Sequence, residues 1–130
     1  MAVLDTTEVN AYLEAMVGKT TYPATTAPIK LDLCTAVGND TTAGTKVTGG
    51  GYVLQTIAAA GWNSAASRQI TNNGTVSFTN MPVATVTSVD ATDSNGSPKR
   101  KFYGNLASSR TTASGDTLSF AASAIVLGMA

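Results

Sequence analysis

Carboxylates are the only side chains in this sequence from which acid and base chemistry could be built. The chain has no histidine, which removes the commonest general base at neutral pH, the usual nucleophilic triads and most zinc sites. Two acidic pairs have suggestive spacing: Asp90 with Asp93, before the loop Ser94-Asn95-Gly96, and Asp5 with Glu8 near the N-terminus. A carboxylate beside a Ser/Asn/Gly loop more often serves the turn than a reaction. The Asp90 to Asp93 stretch also lacks the dense oxygen ligands and closing glutamate of an EF-hand calcium loop. Asp5 and Glu8 have the spacing of a helix capping box. Gly18-Lys19-Thr20 ends like a phosphate-binding loop, but Leu13 stands where that loop needs its first glycine, and the segment follows a helix instead of joining a strand to one. No catalytic residue, metal site or cofactor is expected.

Binding chemistry is the alternative. Lys99-Arg100-Lys101 runs into Phe102-Tyr103, a basic and aromatic cluster of the kind that can hold single-stranded nucleic acid. Eight basic and eight acidic residues give a formal net charge of zero, so the extended positive field that nucleic acid requires is missing. The cluster is read instead as a protein contact or a solvated strand start. Tyr22 and Pro23, in an extended connection, and Trp62, in a segment of small residues, complete the candidate protein-contact set with Lys99, Arg100 and Lys101.

Charged residues are only 12% of the chain, while Thr and Ser supply about a quarter, so the polar surface is mostly hydroxyl and amide. Such a weakly charged surface does little to keep molecules apart, and self-association as a dimer or trimer is expected. Cys34 is the only cysteine, which excludes an intrachain disulfide and suits a small core residue. The residues Met1 to Asp5 lack the basic and apolar regions of a signal peptide. No apolar run reaches the roughly 18 residues of a membrane span, so no membrane partner is expected. The sequons at Asn39 and Asn73 are read as turns.

The elements that must position these residues follow from periodicity. Val9, Tyr12, Leu13, Met16 and Val17 fall at helical spacing and predict one helix with an apolar stripe, capped by Asp5 and Glu8 and stopped at Gly18. Residues 20–28 form an extended connection, so the helix either stands apart or packs across an open end of a sheet. From Ile29 the period is two, with Ile29, Leu31 and Leu33 facing inward. A polar loop over residues 37–51 ends in Gly49-Gly50-Gly51, read as a tight bulge before a strand over 52–58. Residues 68–71 and 75–79 read as a hairpin through Asn72-Asn73-Gly74. Further strands are expected over 83–90, 99–106, 117–120 and 124–127.

Seven or eight short strands separated by Gly, Asn, Asp and Pro predict a mainly β protein, an antiparallel β-sandwich or jelly roll with one N-terminal helix. Residues 1–28 would be helix and connecting arm, and 29–130 the sandwich, together one structural unit. Its core would hold Leu31, Leu33, Val53, Ile57, Ile70, Phe78, Val86, Phe102, Leu118 and Phe120.

Val47-Thr48-Gly49-Gly50-Gly51-Tyr52-Val53-Leu54-Gln55 resembles a family of small bacteriophage virion proteins of the head decoration (cement) or tail fibre type. The likeness continues through Val76-Ser77-Phe78, Phe102-Tyr103-Gly104-Asn105-Leu106, Ser109-Arg110-Thr111-Thr112 and the closing Ser114 to Ala121, and so runs over most of the chain. Leu54 stands where many such relatives carry Arg, and Thr85 to Asp90 replaces a strand containing His and Trp. The resemblance implies a structural virion part present in many copies. The first expectation is a capsid cement protein on the outer head surface, bound to the major capsid protein and assembled in the bacterial host cytoplasm. A tail fibre or baseplate adaptor is the alternative. A carbohydrate-binding module is the reading from another class, and it has few candidate aromatics to draw on.

Overall fold

The period-two segments do become strands in the computed structural model, which describes residues 2–129. β1 (Ala2–Leu4), α1 (Thr6–Met16), β2 (Ile29–Ala36), β3 (Thr45–Lys46), β4 (Gln55–Ile57), β5 (Gln69–Thr71), β6 (Val76–Met81), β7 (Ala84–Thr92), β8 (Arg100–Thr112), β9 (Asp116–Phe120) and β10 (Val126–Gly128) follow in chain order. Eight strands form one sheet in the order β3-β2-β7-β8-β1-β10-β5, with β4 also on β2. β6 and β9 form a separate two-stranded ribbon. Pairing is antiparallel except between β1 and β10. The result is the mainly β sandwich with one N-terminal helix expected from the sequence, built of two very unequal layers.

Alternation decides what lies between the layers. Leu31 and Leu33 of β2 pair with Ala91 and Val89 of β7 and share the inner face. The ribbon contributes Phe78, Met81 and Leu118, with Phe120 packed against them. Phe78 stacks on Tyr52 at 6.1 Å and meets Phe120 edge-on at 6.0 Å, both favourable aromatic geometries. Most of the expected core is therefore buried or half-buried, but Val53 is 65% exposed. The strand expected over 52–58 shrinks to Gln55–Ile57, and Tyr52 takes the inner place instead. Its hydroxyl donates to Asp32 Oδ1 and accepts from the Leu33 amide, each at 2.7 Å.

The glycine triplet is a docked turn and not a strand bulge. Gly49 and Gly50 have φ of +100° and +57°, angles that other residues adopt only under strain. The Tyr52 amide closes the turn on the Gly49 carbonyl, and the Gly51 amide donates to the Asn80 carbonyl at 3.2 Å. A Cβ on Gly51 would lie 2.9 Å from Asn80 Cβ, so close approach also demands glycine there.

The expected hairpin through Asn72-Asn73-Gly74 does not form. β5 pairs with β10, and β6 pairs with β9, so the segment carries the chain from one layer to the other. Neither Asn73 nor Gly74 has the positive φ of a tight hairpin turn. Asn72 is fully buried, and its carboxamide reaches distant backbone. It donates to the carbonyls of Gly74 (2.6 Å) and Ala121 (3.0 Å) and accepts from the Ile125 amide at 2.9 Å.

β8 runs six residues beyond the strand expected over 99–106, but its pairing with β7 is interrupted. Val86 faces Arg110 and Ser88 faces Asn105, so residues 106–109 stand opposite Thr87 alone, a wide bulge in a long strand.

The helix ends as its sequence dictates. Asp5 Oδ1 accepts from the Thr7 amide at 3.0 Å, a stabilising N-cap. At the other end Gly18 has φ +74°, with Gly18 N–H on the Ala15 carbonyl and Lys19 N–H on the Glu14 carbonyl, the paired bonds of a Schellman stop. Glu8 does not close the capping box; it turns inward. The helix sits at one end of the sheet with Ala11 and Ala15 half-buried, while Leu13, Met16 and Val17 are 54%, 66% and 80% exposed. Most of the expected apolar stripe thus faces solvent, with Val9 half-buried.

Candidate functional site

Two buried charge clusters hold the helix in that orientation. In the first, Arg100 Nη2 and Nε donate to Asp5 Oδ2 at 2.7 and 3.2 Å. Arg100 also donates to the carbonyls of Thr42 and Asn39 and lies 4.3 Å over the Tyr103 ring. Asp90, 1% exposed, accepts from Lys46 Nζ at 2.5 Å and from the Gly44 amide at 3.0 Å. In the second, Lys101 Nζ donates to Glu8 Oε2 at 2.8 Å and lies 3.9 Å from Asp93 Oδ2. Tyr22 donates its hydroxyl to the same Glu8 oxygen at 2.6 Å, and Asp93 Oδ1 accepts from the Lys99 amide at 2.9 Å.

These contacts explain why the helix buries its acid and not its oil. Without Glu8, Lys101 would keep only Asp93 at 3.9 Å as a counter-charge in a buried place, whereas exposing a few apolar side chains costs far less. Register does the rest: Asp5 donates its amide to the Lys101 carbonyl at 2.8 Å, placing the first helical turn directly beside Arg100 and Lys101. Loop 37–44 then folds over Arg100. Asp40 accepts from Tyr103, and hydrogen bonds from Thr6 and then Tyr103 hold its carboxyl below the usual range.

The sequence-predicted residues therefore divide. Arg100 is largely buried and Lys101 is 4% exposed, so Lys101 is an interior cation and not a solvated strand start. Lys99 and Pro23 are exposed, and Tyr22 is half-buried over Glu8. Trp62 is half-buried, packed on the core, and bridges to Asn72. The structure brings Tyr22 together with Lys101 and leaves Trp62 apart from the charge clusters. Asp90 and Asp93 are engaged by Lys46, Arg100 and Lys101, in two separate clusters. What the sequence reading missed is the outward face of the helix, joined by Tyr12 at 39% exposure. The stripe itself was visible; its direction was set by Glu8.

Several groups on this framework are held uncharged. Burial pushes the Cys34 thiol up to about 11, with the nearby Asp90 adding to the effect. Burial, reinforced by Glu8, raises Tyr22 to about 12. A raised folded-state value contributes stability that is present below the unfolded-state pKa and lost as pH rises through the folded one. Unfolding free energy is accordingly expected to hold steady up to the free-thiol value of 9.0 and to fall between there and about 11. Urea titrations across that window check it, and thiol reagents at neutral pH should leave Cys34 unmodified until the chain unfolds.

The comparisons with known proteins bear on the same residues. No curated protein matches the chain. A family model described as podophage GP4 fiber I protein gp80 matches residues 3–128, from β1 to the end of β10. That span takes in both charge clusters and the outward helix face. The description is of a fibre protein and makes no mention of head decoration. A match across nearly the whole chain places this protein in the podophage GP4 fiber I protein gp80 family, a family of phage virion structural proteins.

Proposed function

We infer that this protein is a non-enzymatic subunit of a phage fibre or of the adaptor that joins a fibre to the tail, docking on other virion subunits through its outward helix face. The observation that carries this reading is that face. Tyr12, Leu13, Met16 and Val17 are exposed on a helix that buried ion pairs clamp to the sheet. Rigid presentation of apolar side chains in a neutral protein favours protein contact. The fibre description of its family supports a place in the tail over the capsid cement reading, in which the partner would be the major capsid protein.

Copy number in purified particles tests the assignment. A few copies, or a few dozen, per particle support a fibre or adaptor. A ratio to the major capsid protein near one to one or one to three would instead make it a cement protein, and absence from particles would remove the virion role.

The helix face has its own test. Changing Leu13 and Met16 together to serine is expected to alter unfolding free energy by no more than about 0.5 kcal/mol, since both side chains are already in water. Sedimentation should show the unaltered chain associating to a dimer or trimer as concentration rises, and the double variant remaining a monomer.

A further inference from the structure

We propose that the space between the two layers is a binding chamber for an aliphatic chain carrying an anionic head. Interiors are normally packed with few voids larger than a water molecule, yet a cavity of about 330 Å³ lies against the inner face. Its lining is mostly apolar, with Leu31, Leu33, Phe78, Ile125 and Leu127 at its inner end. Its mouth is formed by exposed residues at the β8 bulge: Asn105 just before it, Ala107 and Ser108 within it, and Arg110 just beyond it.

The bulge is the structural cause. Four residues of β8 opposite one of β7 leave the pair without continuous cross-strand packing there, and the two-stranded ribbon is too narrow to cover the inner face of an eight-stranded sheet. The chemistry of the occupant follows from the lining. An apolar cavity stays dry and takes an apolar guest; one of roughly 150 Å³ accepts a benzene ring, so this volume admits a chain of about ten carbons. Water in the chamber would find few hydrogen-bond partners at the inner end. At the mouth the Arg110 guanidinium has no ion-pair partner among the described residues, and it can pair with a carboxylate or phosphate through two parallel hydrogen bonds. Asn105 and Ser108 add neutral donors beside it. An amphiphile with a cationic head would meet Arg110 as a like charge.

Isothermal titration of the full chain with sodium decanoate, below its micelle concentration, tests the proposal. One saturable site per chain is expected. Arg110→Glu, a substitution at an exposed position, should weaken decanoate by about tenfold or more and strengthen decyltrimethylammonium. Ala124→Phe, which places a ring at the chamber rim, should reduce binding of both. The Leu13 and Met16 double serine variant should bind decanoate as the unaltered chain does. No saturable binding, or binding that ignores Arg110→Glu, would overturn the proposal. Flotation with vesicles containing an anionic phospholipid separates the sources: binding of decanoate alone assigns a free acid, and binding of both assigns a chain drawn from a lipid.

Discussion

Lys101→Met should lower the unfolding free energy by about 3–5 kcal/mol, the loss expected when one partner of a buried ion pair is removed. Glu8 and Asp93 are 3% and 2% exposed, and the substitution leaves both carboxylates without the Nζ at 2.8 and 3.9 Å. Tyr22 and the Lys99 amide still donate to them, which moderates the loss but supplies no positive charge. For a chain of this size the midpoint of thermal unfolding should fall by about 10 °C or more. Adding Glu8→Leu to Lys101→Met should recover part of the deficit, because a well-packed apolar pair replaces a stranded anion. Amide exchange over residues 6–16 should quicken in the single variant, since the helix is attached chiefly through its first turn. A loss below about 1 kcal/mol would mean that Lys101 reaches solvent and that something else sets the helix orientation.

The second large effect is expected at Asn72. Asn72→Ala removes three hydrogen bonds and leaves the Ile125 amide and the Gly74 and Ala121 carbonyls to be satisfied otherwise. The buried Ile125 amide would be left unpaired at a cost of about 1–3 kcal/mol, while the Gly74 and Ala121 carbonyls belong to exposed residues and can turn to water, so a loss of about 1–3 kcal/mol is expected from urea unfolding. Neighbouring substitutions supply the contrast. Gly74 has no atom within 4 Å of an added Cβ and no positive φ, so Gly74→Ala should change stability by less than about 0.5 kcal/mol. A hairpin turn would show the opposite ranking, with Gly74 the sensitive position and Asn72 tolerant.

Asn72 also marks where sequence reading stopped. The dipeptide Asn73-Gly74 between two alternating segments satisfies every local rule for a hairpin. What overrode it was a side chain bonding to backbone 49 and 53 residues away, a contact with no local signature. Glu8 repeats the lesson. Its spacing from Asp5 fits a capping box, and its spacing from the apolar stripe fits an exposed position. Only the arrival of Lys101, 93 residues on, turned it inward and the stripe outward. The chamber mouth was hidden for the same reason, because a bulge is a mismatch between two strands and neither strand alone contains it.

From its sequence alone the chain determined a mainly β protein with one capped helix, the places where β2, β7 and β9 run, and the inner face of Leu31, Leu33, Phe78 and Leu118. Those features follow from residue periods of 2 and 3.6 and from backbone angles, which neighbouring residues set. Tertiary structure alone decided which strands pair, that Lys101 and Asp93 lie inside, which way the helix faces, and where the two layers fail to close. The physical reason is that burial of a charge and pairing of a strand edge are settled by partners far along the chain, through long-range contacts that local periodicity does not encode.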